Sequence, residues 1–164
     1  MKQQLLKKIE EKSITVGVVG LGYVGLPLAV EKAKAGFKTI GFDVQDEKVK
    51  LVNEGHNYIG DVVDSDLKEL VESKMLTATT DFSFVKDVDF VAICVPTPLD
   101  THQQPDISYV KSSTEAISKY LTKMKVMTLQ NHYSMNIIKY KVKYILYLKI
   151  FYRERKRGCL LLFW

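Results

Sequence analysis

The sequence predicts an α/β fold, a doubly wound parallel sheet with helices on both faces. Three observations indicate this. Residues 14–19 form an apolar run with the length of a buried strand, and residues 20–25 directly after it contain three glycines. A run of helix formers follows, and a second short apolar segment then ends in Asp43. The order of strand, glycine turn, helix, strand and acid is that of a Rossmann-like βαβ unit.

Residues 20–25 read GLGYVG, and each of the three glycines has a separate physical use. Gly20 allows a sharp turn out of the strand, Gly22 lets a pyrophosphate approach the backbone, and Gly25 lets the helix pack closely against the sheet. The helix that follows offers unpaired N–H groups and the positive end of its dipole to phosphates. The pattern therefore predicts a dinucleotide site, with a merely structural glycine turn as the alternative.

An acidic residue ends the second strand of this unit. Asp43 lies eighteen residues past Gly25, where a carboxylate can accept hydrogen bonds from the hydroxyls of an adenosine ribose. The same charge repels a 2′-phosphate, so the pattern favours NAD over NADP. Lys48 follows five residues later, and it either turns toward the ribose or is a solvated lysine on a helix.

Residues 14–30 carry no charge and follow a basic amino terminus, so they imitate a signal peptide or a membrane span. At 17 residues the segment is at the short limit for a span, and its four glycines and Pro27 would make a poor spanning helix. Strand, turn and helix account for the glycine positions, whereas a span does not. We therefore expect no membrane partner and no targeting segment, which makes the cytoplasm the expected location.

Hydrophobic periodicity and turn residues place the other elements. Gly36 is expected just past the first long helix, Pro27 near its first turn, and Asp106 at the N-cap of a later helix. Thr80 or Asp81 is expected to cap a brief turn. The predicted helices are 1–12, one ending near residue 35, 46–53, 65–73 and 107–120, and the predicted strands are 14–19, 38–42, 76–80, 88–95 and 126–129.

A second strong apolar run, at residues 88–95, predicts a parallel strand that is covered on both faces. Cys94 lies inside this run and is expected to be a small core residue rather than a reactive thiol. Ligands gather at the carboxyl ends of strands in open α/β sheets. Pro96 and Pro98 stiffen the following loop and hold Thr97, whose hydroxyl is then placed to contact a cofactor. The alternative is that the two prolines only end the strand.

Four motifs occur in order along the chain. Residues 20–29 read GLGYVGLPLA, residues 41–43 read GFD, residues 76–80 read LTATT and residues 95–99 read VPTPL. In order and spacing they closely resemble the UDP-glucose/GDP-mannose dehydrogenase family. The later segment PDISYV, at residues 105–110, is most similar to the branch of UDP-N-acetylglucosamine and UDP-N-acetylmannosamine 6-dehydrogenases. The resemblance covers about residues 3–129.

The resemblance implies oxidation of the C6 alcohol of a UDP-sugar to a carboxylate, with two hydride transfers to NAD. The pathway context it implies is nucleotide-sugar metabolism and polysaccharide biosynthesis. It places the UDP-sugar, a nucleophilic cysteine and the assisting lysine and asparagine in a central helix and a carboxyl-terminal domain, and it implies homo-oligomers for full-length members. The cofactor-binding residues that it implies are Gly20, Gly22, Tyr23, Val24 and Gly25 at the pyrophosphate, Asp43 and Lys48 at the ribose, and Pro96 and Thr97 along the cofactor.

Charge is distributed unevenly along the chain. Residues 1–130 hold sixteen lysines and eighteen acids, a net charge of −2, whereas residues 131–164 hold eight basic residues and one acid, a net charge of +7. The basic balance therefore belongs to the tail, which argues against nucleic acid as a partner of the domain. Two cysteines are too few for a disulfide framework, and no spacing predicts a metal site.

Composition changes after residue 130, where the family pattern stops. Residues 131–164 contain no Ala, Asp or Pro, but they contain five of the nine tyrosines and all three arginines. Cys159 lacks the family's glycine-rich cysteine context, so we do not assign the nucleophile to it. We interpret the tail as an out-of-frame or otherwise aberrant carboxyl terminus. The alternatives are a basic-aromatic segment that lies on membranes or binds nucleic acid, and an extra helix that covers the sheet.

These observations divide the chain into an amino-terminal helix (1–13), an NAD-binding Rossmann domain (14–130) and an atypical tail (131–164). The sheet is expected to be incomplete relative to the full family enzyme. We expect the chain to bind NAD without turnover. A non-catalytic nucleotide-binding or regulatory module is the alternative function, and a membrane-associated interaction protein is a third class.

Overall fold

The computed structural model describes residues 2–99, 101–120, 126–129 and 160–161. Helices and strands alternate along most of this length. The described elements are α1 (Lys2–Glu10), β1 (Thr15–Val19), α2 (Gly25–Lys34), β2 (Lys38–Phe42), α3 (Asp46–Asn53), α4 (Asp64–Glu72), β3 (Leu76–Thr79), a 3₁₀ helix (Phe82–Asp87), β4 (Phe90–Ile93), α5 (Ser108–Ser118), β5 (Val126–Leu129) and β6 (Leu160–Leu161).

The described strands form one parallel sheet in the order β3-β2-β1-β4-β5-β6. This is the strand order of a doubly wound nucleotide-binding sheet, so the predicted fold class is confirmed. Val19 at the end of β1 is in register with Phe42 of β2 and Ile93 of β4. The three strands therefore end at the same level, and the segments that follow them emerge side by side.

Strands β1 and β4 are buried on both faces, which explains the continuous apolar runs in the sequence. Side chains alternate between the faces with the period of two that a strand imposes. Val18 and Ala92 belong to the core beneath α2 and α4, whereas Val19 and Ile93 belong to the core beneath α5. The sheet that carries the glycine turn is therefore held from both sides.

Helix α2 begins and ends where the sequence predicts. Pro27 is the third residue of the helix, so it lies in the first turn, where proline is tolerated. After the helix, the N–H of Gly36 donates to the Ala33 carbonyl and the N–H of Phe37 donates to the Lys32 carbonyl. These two bonds form a Schellman motif, and they confirm the expected position of Gly36 after the helix.

Several predicted boundaries differ from the structure by one or two residues. Strand β4 is shorter than 88–95, because the N–H of Val88 closes the preceding 3₁₀ helix on Val85 instead of joining the sheet. Helix α5 begins at Ser108 rather than at residue 107, although a carboxylate oxygen of Asp106 does accept the Ser108 N–H at 2.8 Å. The expected cap at Asp81 is confirmed by its bond from the Ser83 N–H.

The two ends of the chain were predicted as a helix and as an atypical tail. Helix α1 is present, and Lys8 Nζ forms a 3.1 Å ion pair with Asp89 at the base of β4. Within the tail, residues 160–161 form β6 and pair with β5, while Cys159 and the other tail residues lie outside the described residues. In the described part of the chain, none of the helices has the length and apolarity that crossing a bilayer requires.

Candidate dinucleotide-binding site

The candidate site lies at the carboxyl edge of the sheet, where the strand order reverses. Strand β2 lies on one side of β1, and β4 lies on the other side. In doubly wound sheets such a reversal opens a crevice at the carboxyl ends of the strands, because the two connecting segments leave in opposite directions. The glycine turn after β1, Asp43 after β2 and the proline loop after β4 all emerge at this edge. The structure therefore brings together the three segments that the sequence singled out.

Two of the three glycines in the turn are required by the fold itself. Gly20 has a φ of +89°, and a Cβ there would lie 2.9 Å from the carbonyl oxygen of Cys94. A Cβ on Gly25 would overlap the carbonyl oxygen of Gly20. The N–H of Gly20 donates to the Phe42 carbonyl at 2.7 Å, which joins the start of the turn to β2. The expected roles of Gly20 and Gly25 in turning and close packing agree with this geometry.

Gly22 differs from both of these glycines. Apart from its two chain neighbours, no described residue has an atom within 4 Å of the position that its Cβ would occupy. Packing within the chain therefore does not explain why a glycine stands at this position. A group that approaches the turn from outside does explain it, since the absence of Cβ leaves the backbone N–H groups accessible. A side chain at this position would fill the open space, and a contact between Gly22 and a pyrophosphate stays a prediction.

The start of α2 adds phosphate-binding character to the turn. Leu26 donates its N–H to the Gly22 carbonyl at 3.0 Å, so helical winding begins inside the glycine motif. The first N–H groups of a helix have no acceptors within that helix, and they carry its positive dipole end. Tyr23 is 79% exposed beside the turn, whereas Val24 is half-buried against the core. A ligand at the turn can therefore contact the exposed ring of Tyr23, whereas at Val24 it can contact the backbone.

Asp43 is buried, with 7% of its surface exposed, and its carboxylate is held by the backbone. One oxygen accepts the Leu21 N–H at 2.7 Å, and the other accepts the Gln45 N–H at 3.0 Å. The carboxylate therefore fastens the glycine turn to the end of β2, a structural role that the sequence did not indicate. Each carboxylate oxygen has two lone pairs, so both can still accept a ribose hydroxyl.

Leu21, the residue between the first two glycines, is held at its side chain as well as at both flanking peptides. The side chain is fully buried, and a Cβ on Gly41 would lie 2.8 Å from Leu21 Cδ2. The carbonyl of Leu21 accepts a hydrogen bond from the Tyr58 hydroxyl at 2.6 Å. Burial, and secondly the negative charge of Asp43, raise the pKa of Tyr58, so its hydroxyl remains a donor.

Sequence reasoning missed the roles of Gly41 and Tyr58. A glycine inside a strand indicates close approach by another group, so Gly41 did carry a usable signal. Tyr58 carried none, because its contact with the glycine turn joins residues 37 positions apart. Both residues act on the site through Leu21, and neither belongs to the glycine motif.

The proline loop after β4 places Thr97 as an inward-facing residue. Thr97 is 5% exposed, whereas the prolines on either side of it are exposed. The loop closes on itself, because Asp106 donates its N–H to the Pro98 carbonyl at 2.7 Å and Leu99 pairs with Pro105. Thr97 is therefore fixed in position at the edge of the crevice, and its contact with a cofactor stays a prediction.

Lys48 lies in the first turn of α3 and is partly exposed, beyond Asp43 along the chain. A contact between Lys48 and the ribose therefore stays a prediction, with a solvated helix lysine as its alternative. Cys94 is 6% exposed, and burial raises the pKa of its thiol to about 12, which confirms the expected core residue. Among the residues that the structure describes, no group of three or more potential ligands could hold a metal ion.

Replacement of Asp43 by alanine tests its structural role. We expect Asp43→Ala to lower the free energy of unfolding by about 2 kcal/mol, because the buried Leu21 N–H loses its acceptor. The measurement is urea unfolding followed by circular dichroism. Asp61→Ala, at an exposed loop position, is the control and is expected to stay within about 0.5 kcal/mol of the parent. An Asp43→Ala variant as stable as this control would contradict the assignment.

Comparisons with known proteins agree with this geometry. The family model for the NAD binding domain of the UDP-glucose/GDP-mannose dehydrogenase family matches residues 14–146. A UDP-N-acetyl-D-glucosamine 6-dehydrogenase from Pseudomonas aeruginosa is 35% identical over 120 residues, which are 73% of this chain and 28% of the relative. A UDP-N-acetyl-D-mannosamine dehydrogenase from Salmonella typhimurium is 34% identical over 122 residues, 71% of this chain and 27% of the relative.

Among solved structures, a UDP-D-ManNAc dehydrogenase from Pyrococcus horikoshii superposes with a TM-score of 0.74 at 25% identity, over 92% of this chain and 35% of that one. The chain thus spans about 28% of the length of the first curated relative. The family match also runs sixteen residues past the predicted domain boundary at residue 130. With the resemblance and the predicted cofactor both confirmed, the chain belongs to the UDP-glucose/GDP-mannose dehydrogenase family and carries its NAD-binding domain.

Proposed function

We propose that this chain holds NAD for a UDP-N-acetylhexosamine 6-dehydrogenase, which oxidises the C6 alcohol of its substrate to a carboxylate. The observation that carries the proposal is the open position at Gly22, in a turn whose other glycines are explained by packing. The printed names of the relatives support the substrate class, since they are dehydrogenases of UDP-N-acetylglucosamine and UDP-N-acetylmannosamine.

The proposed contacts follow the three segments at the carboxyl edge. Backbone N–H groups of the turn and of the start of α2 bind the pyrophosphate, and the Asp43 carboxylate accepts the ribose hydroxyls. Lys48 lies close to the ribose in this proposal, and the loop after β4 lies along the remainder of the cofactor. The residues proposed to hold NAD are Gly20, Gly22, Tyr23, Val24, Gly25, Asp43, Lys48, Pro96 and Thr97.

NAD, when bound, accepts the hydride in the alcohol oxidation. The residues of this chain position the cofactor and supply the negative charge of Asp43 beside it. The carboxylate of Asp43 is fixed by two backbone N–H groups, so it is already oriented for a diol and repels a 2′-phosphate. Thr97 is held at the crevice by the closed proline loop. These groups bind and orient the cofactor, and the sugar and its nucleophile belong to other parts of the family enzyme by resemblance.

The proposal includes the setting of the protein. The UDP-sugar is its partner in the full-length enzyme, which forms a homo-oligomer by family resemblance, and the enzyme works in the cytoplasm. Residues 1–130 carry a net charge of −2, which supports a small-molecule site over a nucleic-acid surface.

Replacement of Gly22 by alanine tests whether the open space at this residue holds the pyrophosphate. The added methyl group enters open space, so we expect the free energy of unfolding to stay within about 1 kcal/mol of the parent. The same methyl group occupies the space of the pyrophosphate, so NAD affinity is expected to fall at least about tenfold in calorimetric titration. Gly60→Ala is the matched control, because a Cβ at Gly60 also meets no atom within 4 Å. Equal NAD affinity in the two variants would contradict the proposal.

A turnover assay tests the expectation that this chain binds NAD but does not oxidise the sugar. The purified chain with NAD and either UDP-N-acetylglucosamine or UDP-N-acetylmannosamine is expected to form no NADH above a control without sugar. Cys94 is the thiol within the described residues, and its pKa of about 12 leaves it protonated at neutral pH. NADH formation that depends on the sugar would overturn the expectation that the chain binds NAD without turnover.

A further inference from the structure

We propose that Tyr58 is a positioning residue for the glycine turn, acting on the peptide bond that joins Leu21 to Gly22. The inference rests on the proposed NAD site, since the turn is the part of the chain assigned to the pyrophosphate. Tyr58 lies outside the glycine motif, in the connection between α3 and α4, and it reaches the turn through its hydroxyl.

The geometry fixes two successive peptide planes. The N–H of Leu21 donates to Asp43 at 2.7 Å, which orients the Gly20–Leu21 peptide. The carbonyl of Leu21 accepts from Tyr58 at 2.6 Å, which orients the Leu21–Gly22 peptide. A trans peptide is planar, and its N–H and C=O point in opposite directions. The Gly22 N–H shares the plane of the Leu21 carbonyl and points the opposite way, so the bond from Tyr58 also sets the direction of that N–H.

The connection that carries Tyr58 is itself held by its neighbour Asn57. The Asn57 side-chain amide donates to the carbonyls of Ile59 and Val62, each at 2.6 Å, and its oxygen accepts the Ile59 N–H at 2.8 Å. Ile59 and Val62 are buried in the core beneath α2. The side chains of Ile59 and Val62 thus anchor the connection in the core, and the Asn57 amide holds its backbone. Tyr58 therefore reaches the turn from a segment that is fixed in place.

The Tyr58 hydroxyl provides a hydrogen-bond donor for the Leu21 carbonyl, which lies outside the described sheet ladder. Leu21 follows the end of β1, so its carbonyl lies beyond the described ladder between β1 and β2. Backbone carbonyls in such positions need a donor from elsewhere, and here the donor is the Tyr58 phenol. The ring of Tyr58 is partly buried against the core, which limits the freedom of its hydroxyl.

Tyr58→Phe removes the hydroxyl and keeps the ring. The Leu21–Gly22 peptide then loses its constraint, so affinity for a pyrophosphate is expected to fall about 3- to 10-fold, the effect of one hydrogen bond. ADP and NAD both present a pyrophosphate and are expected to lose affinity by the same factor. Adenosine has no phosphate, so its affinity is expected to stay unchanged.

The experiment is an NMR titration of the full chain, in which the Gly22 amide signal reports on the turn. In the ligand-free Tyr58→Phe variant, we expect the Gly22 amide to shift and to exchange faster with solvent, with the stated loss of ADP affinity and no loss for adenosine. Tyr120→Phe, two residues past α5, is the control and is expected to change neither the Gly22 amide signal nor the affinity for ADP. Asn57→Ala removes the side-chain hydrogen bonds to Ile59 and Val62 that hold the connection, and this variant is also expected to bind ADP more weakly.

An unmoved Gly22 amide in Tyr58→Phe, or equal losses for ADP and adenosine, would overturn the positioning role. The Gly22 amide signal of the ligand-free chain also distinguishes failure of this inference from failure of the proposed function. If the parent chain binds neither NAD nor ADP, the proposed function fails, whereas the Gly22 amide still decides whether Tyr58 orients the turn.

Discussion

The hydrogen bond from the Leu21 N–H to the Asp43 carboxylate is the contact on which the site depends. It is buried, it is assisted by the charge of the acceptor, and at 2.7 Å it joins the glycine turn to the end of β2. Without it, the turn and the acid would be two separate features of neighbouring strands. With it, the backbone of the glycine turn and the Asp43 carboxylate are joined directly.

Sheet topology makes that contact available. Parallel pairing in register ends β1, β2 and β4 at one level, so short connections suffice to bring their following residues together. The residues required for packing at this edge, Gly20 and Gly25, leave room only for backbone. The remaining glycine, Gly22, faces open space. The fold therefore accounts for two glycines of the motif, and we propose that pyrophosphate binding accounts for the third.

Local spacing made the fold and the glycine turn predictable, because strand, turn, helix and acid follow one another within thirty residues. Contacts between distant residues were not predictable in this way. Asp43 holds Leu21 across 22 positions and Tyr58 holds it across 37, and neither separation leaves a pattern in the sequence. The start of β4 was misplaced because apolar residues precede the ladder, where the Val88 N–H donates to the Val85 carbonyl instead. Thr97 was recognised by its prolines, whereas the loop closure that holds it depends on Pro98 and Asp106.

We propose that the fixed carboxylate of Asp43, beside the open backbone at Gly22, selects NAD over NADP. Calorimetric titration of the unmodified chain with NAD and, separately, with NADP is the sharpest test of this selection. We expect saturable binding of one NAD per chain and at least about tenfold weaker binding of NADP, because the 2′-phosphate meets the charge of Asp43. Equal affinity for the two dinucleotides, or no binding of either, would contradict it.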